Sequence, residues 1–497
     1  MAQIRKKRPQ LFTGNSVRAM AGFALYWAWL DALLFGATVA QDVAANALVG
    51  DFALQLMPLV SIVAYGAFYF SPRATLLLGG RQAPWLSALL CATGSLCAGI
   101  GGAMGSAGVA MGGFALAGLG LAPLILLWIQ VYATDPAGDG YVWVAGSIAL
   151  SFPVVFLISD LSSGVALIVI VLLPLASAAI LRTMDRGAIA PCEDRPVVSL
   201  SEQSASGGAG GRFDRLSRLL VFGYPWRIAA WIFVFAMVFG LMQHYFGDSS
   251  GPRGLWSVSF AQGGRALAAL IFFVMTGVLR SQPHVMYRLA LVFVLLGFSA
   301  MPLLESTNAG WAEFAANMAY GCFECIAWSL VISYMFARKV DVGLAAGGAR
   351  ILMTTGALAG FLVVFVARAG LHADAFHMLS LLSLFVCLLV MSTMLVMEGG
   401  AANMLRIIEQ AHGARESARQ SGDRDLRETC LGLKEEFGLT DRETDILILL
   451  AQGRSAPYIG NALFISPDTA NTHKRHIYTK LDVHNRQQLI DLVEARR

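Results

Sequence analysis

Charge is scarce in this sequence. Asp, Glu, Lys and Arg make up only 14% of its 497 residues, while 57% are hydrophobic. Soluble domains carry about 25% charged residues, so a chain built only of such domains is excluded. Diagnostic cysteine spacing is also lacking. The seven cysteines (Cys91, Cys97, Cys192, Cys322, Cys325, Cys387 and Cys430) mostly sit in apolar runs, with neither disulfide nor zinc-ligand spacing. Cys322 and Cys325 are three apart, but inside an apolar run, where small residues serve helix packing. No nucleotide-binding loop, metal-ligand cluster or catalytic-triad spacing occurs. These absences argue against an enzyme, a bound metal and a resident cofactor. No internal repeat stands out.

What the chain has in quantity is apolar runs. After the basic Arg5-Lys6-Lys7-Arg8, the run near 18–40 is long enough to span a bilayer, unlike a cleaved signal peptide. Further spans of about 20 residues are expected near 50–70, 84–105, 108–131, 141–160 and 162–182. A polar, Gly/Ser-rich stretch follows, and six more spans are expected near 226–246, 256–279, 287–304, 312–336, 346–367 and 374–397. The expected fold class is all-α, a polytopic twelve-helix membrane bundle arranged 6+6 plus a small four-helix domain. The boundaries are a basic N-terminus at 1–17, half one at 18–183, a central loop at 184–225, half two at 226–397, a linker at 398–437 and a C-terminal domain at 438–497.

Basic residues set the orientation. With the N-terminus inside, the inner loops hold Arg73, Arg81, Arg182, Arg186, Arg212, Arg215, Arg218, Arg280, Arg288, Arg338 and Lys339. The outer loops hold little beyond Arg253 and Arg368. The loop Asp135 to Asp139 is silent. An even number of spans returns the C-terminus to the cytoplasm, so both termini are expected there, in a multi-pass inner (cytoplasmic) membrane protein embedded in the lipid bilayer.

The 6+6 layout with a long central loop resembles the major facilitator fold over residues 15–397. That family usually carries a Gly-x-x-x-Asp-Arg-x-Gly-Arg-type loop between spans two and three. Here Ser71-Pro72-Arg73-Ala74-Thr75, and its counterpart Ser281-Gln282-Pro283-His284, lack the acid. The departure argues against active transport and not against the fold.

Three ionisable residues fall deep in apolar runs: Asp31, Arg265 and Glu324. Each costs about 3 kcal/mol or more at that depth unless it faces a cavity or a partner. Two readings follow. One is a candidate ligand pocket between the halves; the other is a structural ion pair of Arg265 with Glu324 or Asp31. Tyr26, Trp27, Trp29, Trp128, Trp231 and Phe235 suit a flat apolar ligand, an interfacial belt or packing. Small-xxx-small pairs such as Gly101 with Gly105 and Gly108 with Gly112 suggest close helix packing.

The C-terminal stretch reads as helix-turn-helix. Thr440-x-x-Glu443 is a capping box, with Ile446, Leu447 and Leu450 at helical spacing behind it. Gly453 ends that helix, Ser455 begins a second, and Ile459 and Leu463 point inward. Ser466-Pro467-Asp468 starts a third helix that runs to Leu481. Asn485-x-x-Gln488 caps a fourth. A flexible tether of about 40 residues before this domain has a typical span of roughly 35 Å, so DNA would have to come to the membrane.

This stretch resembles the LuxR-type (GerE-like) helix-turn-helix over about 438–492. The landmarks are Leu439-Thr440-x-Arg442-Glu443, Gly453, Ile465-Ser466-x-x-Thr469, His473, Ile477-Tyr478-x-Lys480-Leu481 and Asn485-Arg486. Two departures are Ala470-Asn471, where Val-Lys is usual, and Tyr458-Ile459-Gly460, where Glu-Ile-Ala is common. The resemblance implies double-stranded DNA as a partner, with the third helix in the major groove. Asn471, Thr472, Arg475 and Thr479 share one face and are the expected base contacts; Asn suits adenine and Arg suits guanine. Thr469, Lys474 and Lys480 are the expected phosphate contacts. Gln487, Leu489, Ile490 and Val493 of the fourth helix are the expected surface of a homodimer on DNA.

The chain has neither a receiver domain nor a soluble autoinducer domain, which leaves the bundle as input. It resembles membrane-bound LuxR-family regulators, implying an unknown small-molecule ligand and control of metabolic genes. The alternatives are a major-facilitator-type transporter with an appended regulatory DNA-binding domain, and a DNA domain kept for interaction alone.

Overall fold

The computed structural model describes residues 14–35, 47–134, 140–184, 226–249, 255–279, 309–338, 340–367, 424–453, 456–463 and 465–496. The chain divides into two compact units, Met1–Ala411 and His412–Arg497.

The first unit is helical throughout its described residues. Its elements are α1 (Gly14–Phe35), α2 (Ala47–Phe70), the short α3 (Pro72–Leu78), α4 (Ala83–Ala103), α5 (Ala107–Ala133), α6 (Gly140–Ser159) and α7 (Ser163–Thr183). Then come α8 (Trp226–Ser249), α9 (Leu255–Phe273), α10 (Ala309–Arg338) and α11 (Gly348–Phe365). A π-helical turn, Val274–Val278, extends α9, and another, Gly343–Gly347, leads into α11. Among the described residues, eight helices are long and apolar enough to cross a membrane, with shorter apolar stretches at Ile228–His244 and Gln262–Val278. The expected ninth and twelfth spans lie outside the described residues, as do the central loop beyond Met184 and Arg253, Arg280, Arg288, Lys339 and Arg368.

The outer surface of this unit is apolar: Leu59, Val63, Phe70, Leu86, Ile168 and Leu172 are exposed. Lipid tails demand such a belt. Many of the rings turn inward instead, and Trp27, Trp29, Trp128, Trp231 and Trp328 are fully buried, whereas Phe70 and Trp311 are exposed. Burial excludes the interfacial belt for the buried rings and leaves packing or the walls of a ligand site. Trp29 Nε1 donates to Ser95 Oγ at 2.8 Å, and Trp128 Nε1 donates to Ser177 Oγ at 3.0 Å.

Glycines set the closest helix approaches, though not the pairs that spacing suggested. A Cβ on Gly94 would lie 2.4 Å from the Ala117 nitrogen, and one on Gly101 would lie 2.4 Å from that of Ala110. Among the described residues, a Cβ on Gly108 or Gly112 would have nothing within 4 Å, and Gly105 is a turn residue at φ +65. Spacing identifies a small-residue face, but only the partner helix decides which face is used.

The halves meet where α2 packs on α11 and α6 packs on α9. These are the second with the eleventh and the fifth with the eighth expected spans. A shift of six spans exchanges the two pairs, as two structurally repeated halves require.

The second unit begins earlier than the sequence suggested. Residues 424–437 form a helix (α12), and its Leu426, Cys430 and Leu433 enter the domain core. The stretch read as linker is therefore part of the domain from 424 onward; residues 398–423 lie outside the described residues. Then come α13 (Asp441–Ala451), α14 (Ala456–Leu463), α15 (Pro467–Lys480) and α16 (Arg486–Ala495). Ile446, Leu447, Leu450, Ile459, Ile477 and Leu489 close the core. Gly438 and Gly453 sit at positive φ just past α12 and α13, where a Cβ would be strained.

Candidate functional site

The three intramembrane ionisable residues come together. Arg265 of α9 donates through Nη1 to both Asp31 oxygens, at 2.6 and 2.7 Å, and through Nε to Glu324 Oε2 at 2.8 Å. Asp31 belongs to α1 and Glu324 to α10, so one guanidinium joins the two halves and two helices within the second half. All three residues are buried. The Arg265 guanidinium also lies over the Trp27 ring, 4.9 Å from its centroid.

Glycine makes this geometry reachable. A Cβ on Gly321 would lie 2.7 Å from the Arg265 carbonyl oxygen, and one on Gly264 would lie 2.2 Å from that of Phe314. The α9 and α10 backbones therefore nearly touch beside the ion cluster, within side-chain reach of each other. A narrow recess lined by Asp31, Ser151, Phe152, Gln262, Arg265 and Ala266 reaches two of the three charges.

Two further polar links cross between the halves, neither of them expected from the sequence. Arg350 Nε of α11 donates to Tyr65 Oη of α2 at 3.3 Å, with its guanidinium 5.7 Å from the centre of that ring. Gln55 Nε2 and His244 Nε2 lie 2.9 Å apart. Gln55 and Tyr65 stand ten residues apart on α2, about 15 Å along the helix axis, so these links lie at different depths. The available signal was Arg350 itself, a lone cation inside an expected span.

In the second unit the recognition-type helix α15 is two-faced. Ala470, Ile477 and Leu481 are buried, whereas Asn471, Thr472, Arg475 and Thr479 are exposed. The two departures at 470 and 471 thus differ in kind: Ala470 changes a core contact, Asn471 a surface one. Thr472 and Thr479 donate their hydroxyls back to the carbonyls of Asp468 and Arg475, leaving those oxygens as outward acceptors. Ser466 caps the helix by accepting from the Thr469 amide at 3.0 Å. Exposed Thr469 shares its hydroxyl with Ser466 at 2.8 Å, and the Lys474 ammonium lies 5.3 Å from the Tyr478 ring centre.

Lys480 is placed differently from Lys474. Its ammonium donates to Glu443 Oε2 at 2.7 Å and to the Gly438 carbonyl at 3.0 Å. The same Glu443 completes the capping box, accepting from the Thr440 amide at 2.8 Å, while its own amide donates to Thr440 Oγ1. Burial pushes the Glu443 carboxyl up, but the Lys480 and Thr440 hydrogen bonds outweigh it and hold the carboxyl at about 2. Lys480 therefore staples the end of α15 to the start of α13, a structural role beside the phosphate contact expected of it. Arg442 donates to the Leu463 carbonyl at 2.6 Å, satisfying an orphan carbonyl of α14.

The fourth-helix expectation also changes. Leu489 and Val493, 0% and 2% exposed, are one turn apart and face the core, so they are unavailable to a partner. Gln487 is exposed and Ile490 half-buried. Asn485 Oδ1 accepts from the Gln488 amide at 2.9 Å, as the capping pattern requires.

Residues 438–493 match the family described as bacterial regulatory proteins, luxR family. Over 50 residues the chain is 48% identical to the transcriptional regulatory protein LiaR of Bacillus subtilis, a stretch that is 10% of this chain and 24% of LiaR. It spans 6% of the mycobacterial regulators that it matches at 43% identity. The fold of the first unit is similar to a bacterial homologue of the iron transporter ferroportin in an outward-facing state. That likeness has a TM-score of 0.53 at 13% identity, covering 78% of this chain and 99% of that one. The major facilitator superfamily proton:xylose symporter XylE aligns at a TM-score of 0.49 and 11% identity, covering 78% of this chain and 95% of its own. The C-terminal domain is thus a LuxR-type helix-turn-helix, and the first unit shares its fold with the ferroportin homologue.

Proposed function

We propose that this chain, a LuxR-type reader carried on a major-facilitator-like bundle, is a membrane-embedded transcriptional regulator whose bundle senses a small molecule. The observation that carries the reading is the Arg265 cluster, a buried polar junction between the two halves on the same chain as a DNA-binding type of domain. A ligand that binds one arrangement of the halves better than the other shifts their equilibrium. Moving from 1:99 to 99:1 needs about 10⁴-fold preference, so a full switch demands contacts that one state lacks. The polar links between the halves are such contacts.

On DNA, α15 enters the major groove with Asn471, Thr472, Arg475 and Thr479 toward base edges, and Thr469 and Lys474 toward phosphates. Each of the Asn471 and Arg475 pairs contributes roughly 1–3 kcal/mol of base discrimination. Gln487 and Ile490 remain the candidates for joining two copies over paired half-sites. Control acts through dimerisation or exposure of this domain.

The test is a promoter reporter driven by the full chain. D31N, R265Q and E324Q, each made alone and each confirmed in the membrane fraction, are expected to change ligand-dependent output. Wild-type output from all three defeats the proposed site. Substrate flux in vesicles, without any promoter response, identifies the transporter reading instead.

A further inference from the structure

We infer that Arg350 is the anchor of a binding site for an aromatic carboxylate, built with Tyr26 and Tyr65 where the halves meet. The inference rests on the reading of the bundle as a sensor and names the chemical class of its ligand.

Both carboxylates of the ion cluster are committed to Arg265, at 2.6 to 2.8 Å. Arg350 has no such partner: among the described residues its one hydrogen bond is to the Tyr65 hydroxyl, at 3.3 Å. A guanidinium carries five N–H donors, and here its terminal nitrogens meet no carboxylate among the described residues. A cation so placed in an apolar bundle is a functional site by default, and its natural complement is a planar oxyanion bound in two-pronged fashion.

A second observation points to the same place. The Tyr26 hydroxyl is buried without a hydrogen-bond partner among the described residues, and so is the Trp27 indole nitrogen. Buried donors are nearly always satisfied, so an unmet pair on one turn of α1 needs an explanation. Tyr26 and Tyr65 are both within electrostatic reach of Arg350. A carboxylate there would accept from Arg350 and from Tyr26, meeting both deficits at once.

The surroundings specify what the carboxylate is attached to. Tyr26 sits among the rings of Phe23, Trp27 and Trp29, with centroids 5.4 to 5.9 Å away. Such walls favour a flat ring over a hydrated sugar. Arg350 lies three residues past the π-helical turn Gly343–Gly347, in the first turn of α11, and such turns recur at functional sites.

The experiment uses the full chain in lipid nanodiscs, with tryptophan fluorescence following thermal unfolding. Benzoate is the probe, and benzamide is its uncharged isostere. Millimolar benzoate is expected to raise Tm saturably in the wild type, and benzamide is not. R350Q is expected to weaken half-saturation roughly 10–100-fold, and R350K to recover part of it. Y26F leaves the cation and removes one donor, so it tests the site even if R350Q fails to fold; a several-fold weakening is expected. Laurate separates a soluble acid from a lipid carboxylate, and protection by laurate but not benzoate overturns the aromatic assignment. Equal effects of benzoate and benzamide, no effect of benzoate, or an unchanged response in both R350Q and Y26F overturns the site. Benzoate protection without any promoter response leaves this site standing and removes the sensor reading. Promoter control that survives without carboxylate binding does the reverse.

Discussion

Two carboxylate–cation clusters among the described residues, one around Arg265 and one around Glu443, differ in how far they reach. In the bundle, Arg265 draws Asp31 and Glu324 together from positions 234 and 59 residues away. In the C-terminal domain, Glu443 binds Thr440 three residues away and Lys480 37 residues away. The first cluster is buried among apolar helices, so removing one partner strands a charge largely withdrawn from water. The second has a Lys480 side chain still 35% exposed, so water shares the load. The same chemistry therefore serves as a joint between halves in one unit and as a helix staple in the other.

The comparison breaks most sharply at Arg265. R265Q leaves two buried carboxylates facing each other and is expected to cost about 3–5 kcal/mol, read as a large fall in Tm in micelles. The triple variant D31N/R265Q/E324Q, with no net charge to strand, is expected to recover much of that loss. If the single variant is as stable as wild type, the cluster is not a joint.

Next comes the contrast between neighbours on α16. L489A opens a core cavity and is expected to cost about 2–5 kcal/mol in urea unfolding of the C-terminal domain. I490A, at a half-buried position, is expected to cost about 1 kcal/mol or less and to weaken self-association on paired half-sites. Sedimentation with and without DNA reads the second effect. Equal stability losses would return Leu489 to the surface.

The smallest expected effect is at Glu443. Its carboxyl is held at about 2, below the ordinary carboxylate range. The unfolded chain therefore takes up the proton first as pH falls. Glu443 stabilises the domain fully above about pH 4.5 and loses that contribution as pH falls toward 2. E443Q is expected to cost about 1 kcal/mol at neutral pH and to flatten this part of the stability profile, measured by urea midpoints across pH. An unchanged slope would mean that the staple does not hold in solution.

The difference in reach also explains what could be read in advance. The capping box at Thr440, the cap at Ser466 and the cap at Asn485 are contacts over three residues, so their partners stand beside them in the sequence. Asp31, Arg265 and Glu324 were conspicuous one by one, because charge is costly in an apolar run. Their common meeting point was not legible, since nothing in the spacing says which helices pack. Arg350 lies near the start of its span, where a basic residue is ordinary. The residue type of Lys480 suits a phosphate, but its contact with Glu443 was not legible, because that carboxylate lies on another helix.

By itself, then, the sequence determined the local and the compositional: helices long enough to span, their caps, and a helix-turn-helix pattern dense enough to be matched from residue 438 to 493. These follow from hydrogen bonds and apolar faces that each segment carries alone. The tertiary structure decided the rest. It joined three charges into one cluster and, among the described residues, gave Arg350 no carboxylate. It turned Leu489 and Val493 inward, docked α12 on the reader, and used Gly94 and Gly101 while leaving Gly108 and Gly112 open. Each of these outcomes depends on which surface lies opposite. That is fixed only when all the helices compete for burial at once.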